Sequence, residues 1–235
     1  MRISYQPIVH LADGRLDHVE VLARTAADDG TLRGPEAIVN AMTSAPRAFR
    51  LTEAIIERAL DEYDEYGFAA HDLPLAFNLK LDAMLHPGLT GLIDSLRARC
   101  GLSPDLLRFE LTEDQPVHNL AAAHAVITDL RDAGYALALD DITPDMPYLA
   151  ALLDMPVRAI KLDRSIVTSL HPAAQNFIRS MAEQANAKRQ EIIAEGIETT
   201  DQHETMRASQ VTHGQGYLFS RPLTASALGA YLNTR

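Results

Sequence analysis

The sequence predicts an α/β fold, a TIM-like (β/α)8 barrel with an irregular antiparallel first strand, on three observations. Short apolar runs alternate with amphipathic stretches along most of the 235 residues, the pattern of strands each followed by a helix. The chain opens differently, with two β-rich runs around a tight-turn signal, which adds an antiparallel pair. Charged or amide residues recur at the ends of the apolar runs, and a barrel gathers its strand C-termini on one face. A doubly wound open sheet is the alternative reading of the same alternation.

Taken in order, residues 3–11 and 16–25 are the opening strands, and the Asp13-Gly14 pair between them is a hairpin signal. Helical patterns follow over 35–42 and 47–66, the second closing on Gly67 as a C-terminal cap. Six further apolar runs are expected strands: 73–79, 106–111, 136–139, 159–162, 191–194 and 217–219. Between them, residues 89–99, 121–133 and 173–189 place apolar side chains near i, i+3, i+4 and i+7 and are expected helices. No linker, low-complexity segment or repeat interrupts the pattern, so residues 1–235 read as a single domain.

Composition narrows the function classes. A hydrophobic fraction of 47% supplies a sizeable core, while a net charge of -11 argues against direct DNA binding or a broad anionic membrane footprint. No apolar run reaches the roughly 20 residues of a membrane span. Cys100 is the lone cysteine, and the start MRISYQPIVH lacks the layout of a signal peptide, so a cytoplasmic location is expected.

The residues ending the apolar runs carry the chemistry. They are Glu20 in HVEVLAR, Asn78 in LAFNLK, Glu110 in RFELTE, Asp140 and Asp141 in LALDDI, Lys161 and Asp163 in AIKLD, and Glu195 in IIAEG. Carboxylates converging on one barrel face repel one another unless cations are present, and all-oxygen ligands favour Mg2+ or Mn2+, as one or two ions. Two such ions activate a water and neutralise a phosphate during in-line displacement. Solvated helix caps are the alternative for any single carboxylate, and a structural ion pair is the alternative for Lys161. The residues alone lead as far as metal-assisted hydrolysis of a phosphorylated substrate.

Glu20-Val21-Leu22-Ala23-Arg24 has the form Glu-x-Leu-x-Arg, and FNLK, FELTE, LDD, IKLDRSIV and IIAEGIET follow it in order, between YQPIV at 5–9 and QGYLFSRPL at 215–223. By these motifs the chain resembles the EAL-domain cyclic di-GMP phosphodiesterases along essentially its whole length. The resemblance implies that Glu20, Asn78, Glu110, Asp140, Asp141 and Glu195 ligate the divalent ions, with Glu20, Lys161 and Glu195 central to catalysis. It further implies that Lys161 positions or helps activate the attacking water and that Arg24 contacts a ligand phosphate. Gln6, Leu22 and Asp163 would line the dinucleotide site, Gln215 would hold the water or metal network, and Glu113 would tie down the loop after Asp141. The implied reaction opens one phosphodiester of cyclic di-GMP to linear pGpG in bacterial second-messenger signalling.

One motif departs from the family. Its paired aspartates continue as Phe-Gly-x-Gly, whereas here Ile142-Thr143-Pro144-Asp145-Met146-Pro147 follows Asp141. Both glycines are missing and two prolines fix the backbone, neither able to donate an N–H. A smaller departure is Lys80, where the family often has a small polar residue. The alternative function is therefore a catalytically inactive domain acting as a cyclic di-GMP receptor or a protein-interaction module. The family often dimerises near this loop, so its alteration here counts against the usual homodimer, which stays one open assembly. A protein partner, or additional domains in a longer parent protein, is another. The nine histidines lack tight metal spacing and read as surface or loop residues, and the methionines as packing. The charges at 61–65 read as a solvated helix face.

Overall fold

The computed structural model describes residues 1–26, 32–33, 42, 44–112 and 120–234. The strands are β1 (Arg2–His10), β2 (Leu16–Ala26), β3 (Leu32–Arg33), β4 (Leu75–Lys80), β5 (Leu107–Thr112), β6 (Ala136–Ile142), β7 (Ala159–Leu162), β8 (Glu191–Ala194) and β9 (His213–Gln215). The order is β1-β9-β8-β7-β6-β5-β4-β2-β3, and a further β1–β2 pairing closes eight of them into a barrel, leaving β3 as a ribbon on β2. The closed barrel is the expected architecture, and the open sheet is excluded.

Sequence chemistry explains the one irregularity. Gly14, at φ +72, and the Gly14 N–H to His10 carbonyl bond turn the chain back within four residues, too few for a crossover helix. β1 therefore runs antiparallel to both β2 and β9, while every other neighbour pair of the barrel is parallel. The helices are α1 (Ala45–Glu65), α2 (Leu81–Met84), α3 (Leu89–Arg99), α4 (Leu120–Asp132), α5 (Leu149–Leu153), α6 (Arg164–Val167), α7 (Pro172–Lys188), α8 (Thr200–Ala208) and α9 (Ala225–Leu232). α1 buries Ala48, Thr52, Ile55, Ile56, Ala59, Leu60 and Tyr63 at helical spacing and gives way to Gly67 at φ +70, as a left-handed cap requires. The helix expected over 35–42 lies, apart from Met42, outside the described residues. No described helix is long and apolar enough to cross a membrane.

Two apolar layers result. The larger fills the space between strands and helices, with Tyr5, Phe68, Phe77 and Phe109 among its buried aromatics. The smaller, Ile8, Ala138, Ala159 and Ile193, sits inside the barrel. Side chains two apart along a strand share a face. The same alternation therefore sends Gln6, Glu20, Glu110, Asp140 and Lys161 to one side of this plug and His10, His18 and Arg108 to the other.

Three expectations need correction. The last strand is His213–Gln215 rather than 217–219. It has no apolar run because Gly214 faces Leu11, Ile197 and Phe219, where an added Cβ would lie 2.5 Å from Leu11. Tyr217 to Phe219 form a turn instead, set by Gly216, whose Cβ would meet the Ile197 carbonyl oxygen at 2.1 Å. Glu62 is not part of a solvated face. It is buried, accepts a 2.9 Å hydrogen bond from the Tyr5 hydroxyl and pairs with Arg58 at 2.7 Å, so the cluster points one carboxylate inward. His18 and His213 are likewise buried rather than on the surface, because Asp17, Arg108 and Thr212 partner them. Met84, Met155, Met181 and Met206 are buried packing, as expected.

Gly214→Ala forces the Leu11 and Ile197 side chains apart at the strand that closes the barrel. It should lower stability by about 1–3 kcal/mol, read as a lower urea midpoint at unchanged slope.

Candidate active site

The C-terminal mouth of the barrel is built around one buried ammonium. Lys161, in β7, is 1% exposed and places Nζ 2.6 Å from Glu110 Oε2, 2.6 Å from Glu195 Oε1 and 2.9 Å from Asp140 Oδ1, with Glu20 Oε2 at 3.9 Å. Glu110 is 1% exposed as well. Glu20 is fixed from both sides, its oxygens accepting from the Asn78 amide at 2.7 Å and the Gln215 amide at 2.6 Å. Asn78 and Glu110 are register partners on β4 and β5, so strand pairing alone sets them side by side.

Asp140 and Asp141 are consecutive, and a regular strand would send them to opposite faces. β6 avoids this with a bulge. Leu139 pairs with Ile160 but Ile142 with Leu162, three residues against two, and Asp141 adopts φ +53. Such a bulge re-aims a side chain. Carboxylate oxygens of Asp140, Asp141 and Glu195 consequently lie within 4.8 Å of one another.

Electrostatics follow from five carboxylates sharing one nearby lysine. Burial, only partly countered by Lys161 and reinforced by Glu20 and Asp140, pushes Glu110 up to about 8. Asp141 stays exposed at the rim, where partial desolvation and the Asp140 charge push it up to about 6. Glu195 is raised for the same reasons, burial first. Glu20 goes the other way: burial is outweighed by Lys161, the two amide donors and Arg24. Burial disfavours the Lys161 ammonium, but Asp140, Glu110, Glu195 and Glu20 together hold it well above the usual lysine value. With these carboxylates around it, it is a donor and a positive charge.

The donor set fits a hard divalent ion. Glu110 Oε1 is buried without a hydrogen-bond partner, and Asp140 Oδ1 makes no hydrogen bond although the Lys161 ammonium lies 2.9 Å away. Buried oxygens left this way carry a desolvation cost that a cation removes. All nearby ligand atoms are oxygen, the preference of Mg2+ and Mn2+.

The remaining expected residues surround this ring. Gln6 is the register partner of Glu20 and lines, with Glu20, Glu195 and Gln215, a cleft of about 190 Å3. Leu22 and Arg24 continue the Glu20 face of β2 and are half-buried. Asp163 caps α6 by accepting from the Ser165 N–H at 2.9 Å, and its charge reaches Asp141. Glu113 lies outside the described residues. The sequence reading missed Arg164, Glu198 and Tyr217, which line the same cleft. Gly216 was the available signal for Tyr217, since the turn it permits brings that ring to the mouth.

The EAL domain family matches residues 1–222. The cyclic di-GMP phosphodiesterase NbdA of Pseudomonas aeruginosa is 31% identical over 99% of this chain and 30% of its own length. The chain spans less than half the length of the curated relatives it matches first. Among solved structures, the EAL enzyme Bd1971 with cAMP and cyclic di-GMP bound superposes at a TM-score of 0.87, with 26% identity over 98% of this chain and 64% of that one. Klebsiella pneumoniae BlrP1, in cyclic di-GMP complexes with calcium or manganese, gives 0.82 with 25% identity over 95% of this chain and 56% of that one.

Lys161→Met removes the buried ammonium of the ring and leaves Glu110, Asp140 and Glu195 without it. In chelator at pH 8 it should cost about 3–5 kcal/mol of stability. Added Mg2+ should recover part of this, measured by thermal denaturation with and without the ion.

Proposed function

The chain belongs to the EAL domain family, and from that membership we propose that it is a cytoplasmic, metal-dependent phosphodiesterase that opens cyclic di-GMP to linear pGpG. The observation that carries the reading is the ring of Glu20, Asn78, Glu110, Asp140, Asp141 and Glu195 around Lys161. Those six residues would hold one or two Mg2+ or Mn2+ ions. Such ions supply an activated water and stabilise charge on the phosphoryl oxygens.

The chain's own groups would do the rest. Lys161 Nζ, locked protonated, would hold the attacking water by charge and hydrogen bonding. Asn78 and Gln215 fix the Glu20 carboxylate in one orientation, which preorganises a ligand at no cost during the reaction. Arg24 would meet a substrate phosphate, which an acidic protein needs if it is to hold an anion. Gln6, Leu22 and Asp163 would line the dinucleotide, and Glu113 would steady the loop after Asp141. A carboxylate acid/base pair is not required, because neither Asn78 nor a protonated Lys161 serves one.

A second reading, a receptor that holds cyclic di-GMP intact, has one observation in its favour. Ile142 is fully buried and paired with Leu162, and the segment leaving the bulge contains two prolines where ring closure removes N–H donors. This loop is more constrained than the glycine-containing family form.

Incubation with cyclic di-GMP and Mg2+ or Mn2+, followed by chromatography, should yield pGpG, and chelator should abolish it. Glu20→Ala should lower turnover at least about 100-fold, and full turnover in that variant would sink the assigned ring. Tight binding without pGpG would establish the receptor, and undetectable binding with both ions present would leave a protein-interaction module. Protons compete with the ion at Asp141 and Glu110, so ion affinity should rise from about pH 6 to about pH 8. Calorimetry at both pH values checks the sign.

A further inference from the structure

Opposite the mouth just described, a second constellation closes the N-terminal end of the barrel. His10 ends β1, His213 opens β9, and the two are register partners. Asp17 is the second residue of β2. Asp17 Oδ1 stands 3.3 Å from His10 Nε2 and 3.9 Å from His213 Nε2, and one ligand atom from each residue falls within 4.8 Å of the others. A tetrahedral zinc with bonds of about 2.0–2.1 Å separates its ligands by about 3.3–3.4 Å. The 3.3 Å spacing matches that edge, while the 3.9 Å spacing and the His10–His213 spacing of at most 4.8 Å would close on binding.

The proton inventory points the same way. His213 is 5% exposed in its side chain, and its Nε2 is buried without a hydrogen-bond partner. Its Nδ1 lies 2.8 Å from the Thr212 hydroxyl, which in turn is placed to donate to the Ile192 carbonyl at 2.9 Å. With that proton assigned to Ile192, the hydroxyl accepts from Nδ1–H, and Nε2 carries a lone pair. His10 Nε2 also presents a lone pair, since an Arg15 guanidinium nitrogen, which can only donate, lies 2.9 Å away. Arg108 binds Asp17 through Oδ2 at 2.9 Å, and His18 Nδ1 meets the same oxygen at 2.8 Å, so Oδ1 is left for the histidines. Three acceptor atoms thus face one another, and among the described residues the cation in contact with them is the exposed Arg15 side chain, at His10 Nε2.

We infer that His10, Asp17 and His213 form a site for a borderline divalent metal such as Zn2+, stapling β1, β2 and β9 at the seam where the barrel closes. Two imidazoles and one carboxylate select such an ion over Mg2+, and the Thr212 contact supplies the usual outer hydrogen bond of a ligating histidine. Solvent reaches the site from the Asp17 side, where that residue lines an open cleft of about 820 Å3 with Arg15, His71, Asp72, Arg108 and Leu232. Arg108 is itself paired to Glu191 at 3.2 Å, which moderates its repulsion of the ion. Arg15, on the exposed turn, is the group that must swing away.

Equilibrium dialysis with Zn2+, in excess Mg2+ to occupy the carboxylate ring, tests the site on the whole chain. The wild type should retain one zinc. His10→Ala, at a half-buried position, should lower zinc affinity at least about tenfold, and Arg15→Ala should raise it. Zinc should also raise the melting temperature of the wild type more than that of His10→Ala. Co2+ in place of zinc should give the intense visible absorption of four-coordinate cobalt in wild type and Arg15→Ala. Equal zinc affinity in the three chains, or no zinc retained by the wild type, overturns the site.

Discussion

The Lys161 ammonium, buried near the end of β7 and paired with carboxylates on β5, on β6 and just past β8, is the interaction on which the mouth of this barrel depends. A buried ammonium without partners would lose its proton, and buried carboxylates without it would hold theirs. Each side keeps the other charged. The balance is incomplete, because Glu20, Glu110, Asp140, Asp141 and Glu195 outnumber it, and the raised values of Glu110, Asp141 and Glu195 express the shortfall. Replacing such a set by apolar side chains would often stabilise a fold. Its place at the strand ends of a barrel, where functional sites of this architecture lie, is what the proposed ion-binding role accounts for.

Strand alternation carries that arrangement through the molecule. Glu20 and His18, Glu110 and Arg108, and Lys161 and Ala159 are pairs two residues apart on one strand face. One member of each pair reaches the carboxylate mouth, and the other reaches the plug or the opposite mouth. The plug of Ile8, Ala138, Ala159 and Ile193 separates the two polar ends. Antiparallel β1 is what makes them differ. It brings its own C-terminal residue, His10, to the face where the parallel strands begin, and so sets an imidazole beside Asp17 and His213.

Much of this was legible in the sequence, for identifiable reasons. Strands β7 and β8 match the expected residues because branched apolar side chains, buried on both faces, leave an uninterrupted signal. The residues that meet at the mouth, Glu20, Asn78, Glu110, Asp140, Lys161 and Glu195, could be singled out as candidates because each ends such a run. Strand β9 was not, since His213, Gly214 and Gln215 are chosen by close packing and by Glu20 rather than by apolarity. The bulge at Asp141 left no local mark, as it is a property of β6 against β7. The burial of His18 and His213 depends on Asp17, Arg108 and Thr212, and the Arg108 contact joins residues 90 positions apart. Glu62 escaped notice for a similar reason, its partner Tyr5 lying 57 residues away.

Mn2+ binding followed by the electron paramagnetic resonance of the free ion tests the central claim, that an under-neutralised carboxylate ring is built to take divalent cations, without requiring substrate or turnover. One or two ions should bind per wild-type chain, and that binding should be lost in Asp140→Asn, which removes a charge and leaves the shape. A wild-type chain that leaves Mn2+ free, or an Asp140→Asn chain that binds it equally well, would contradict the account.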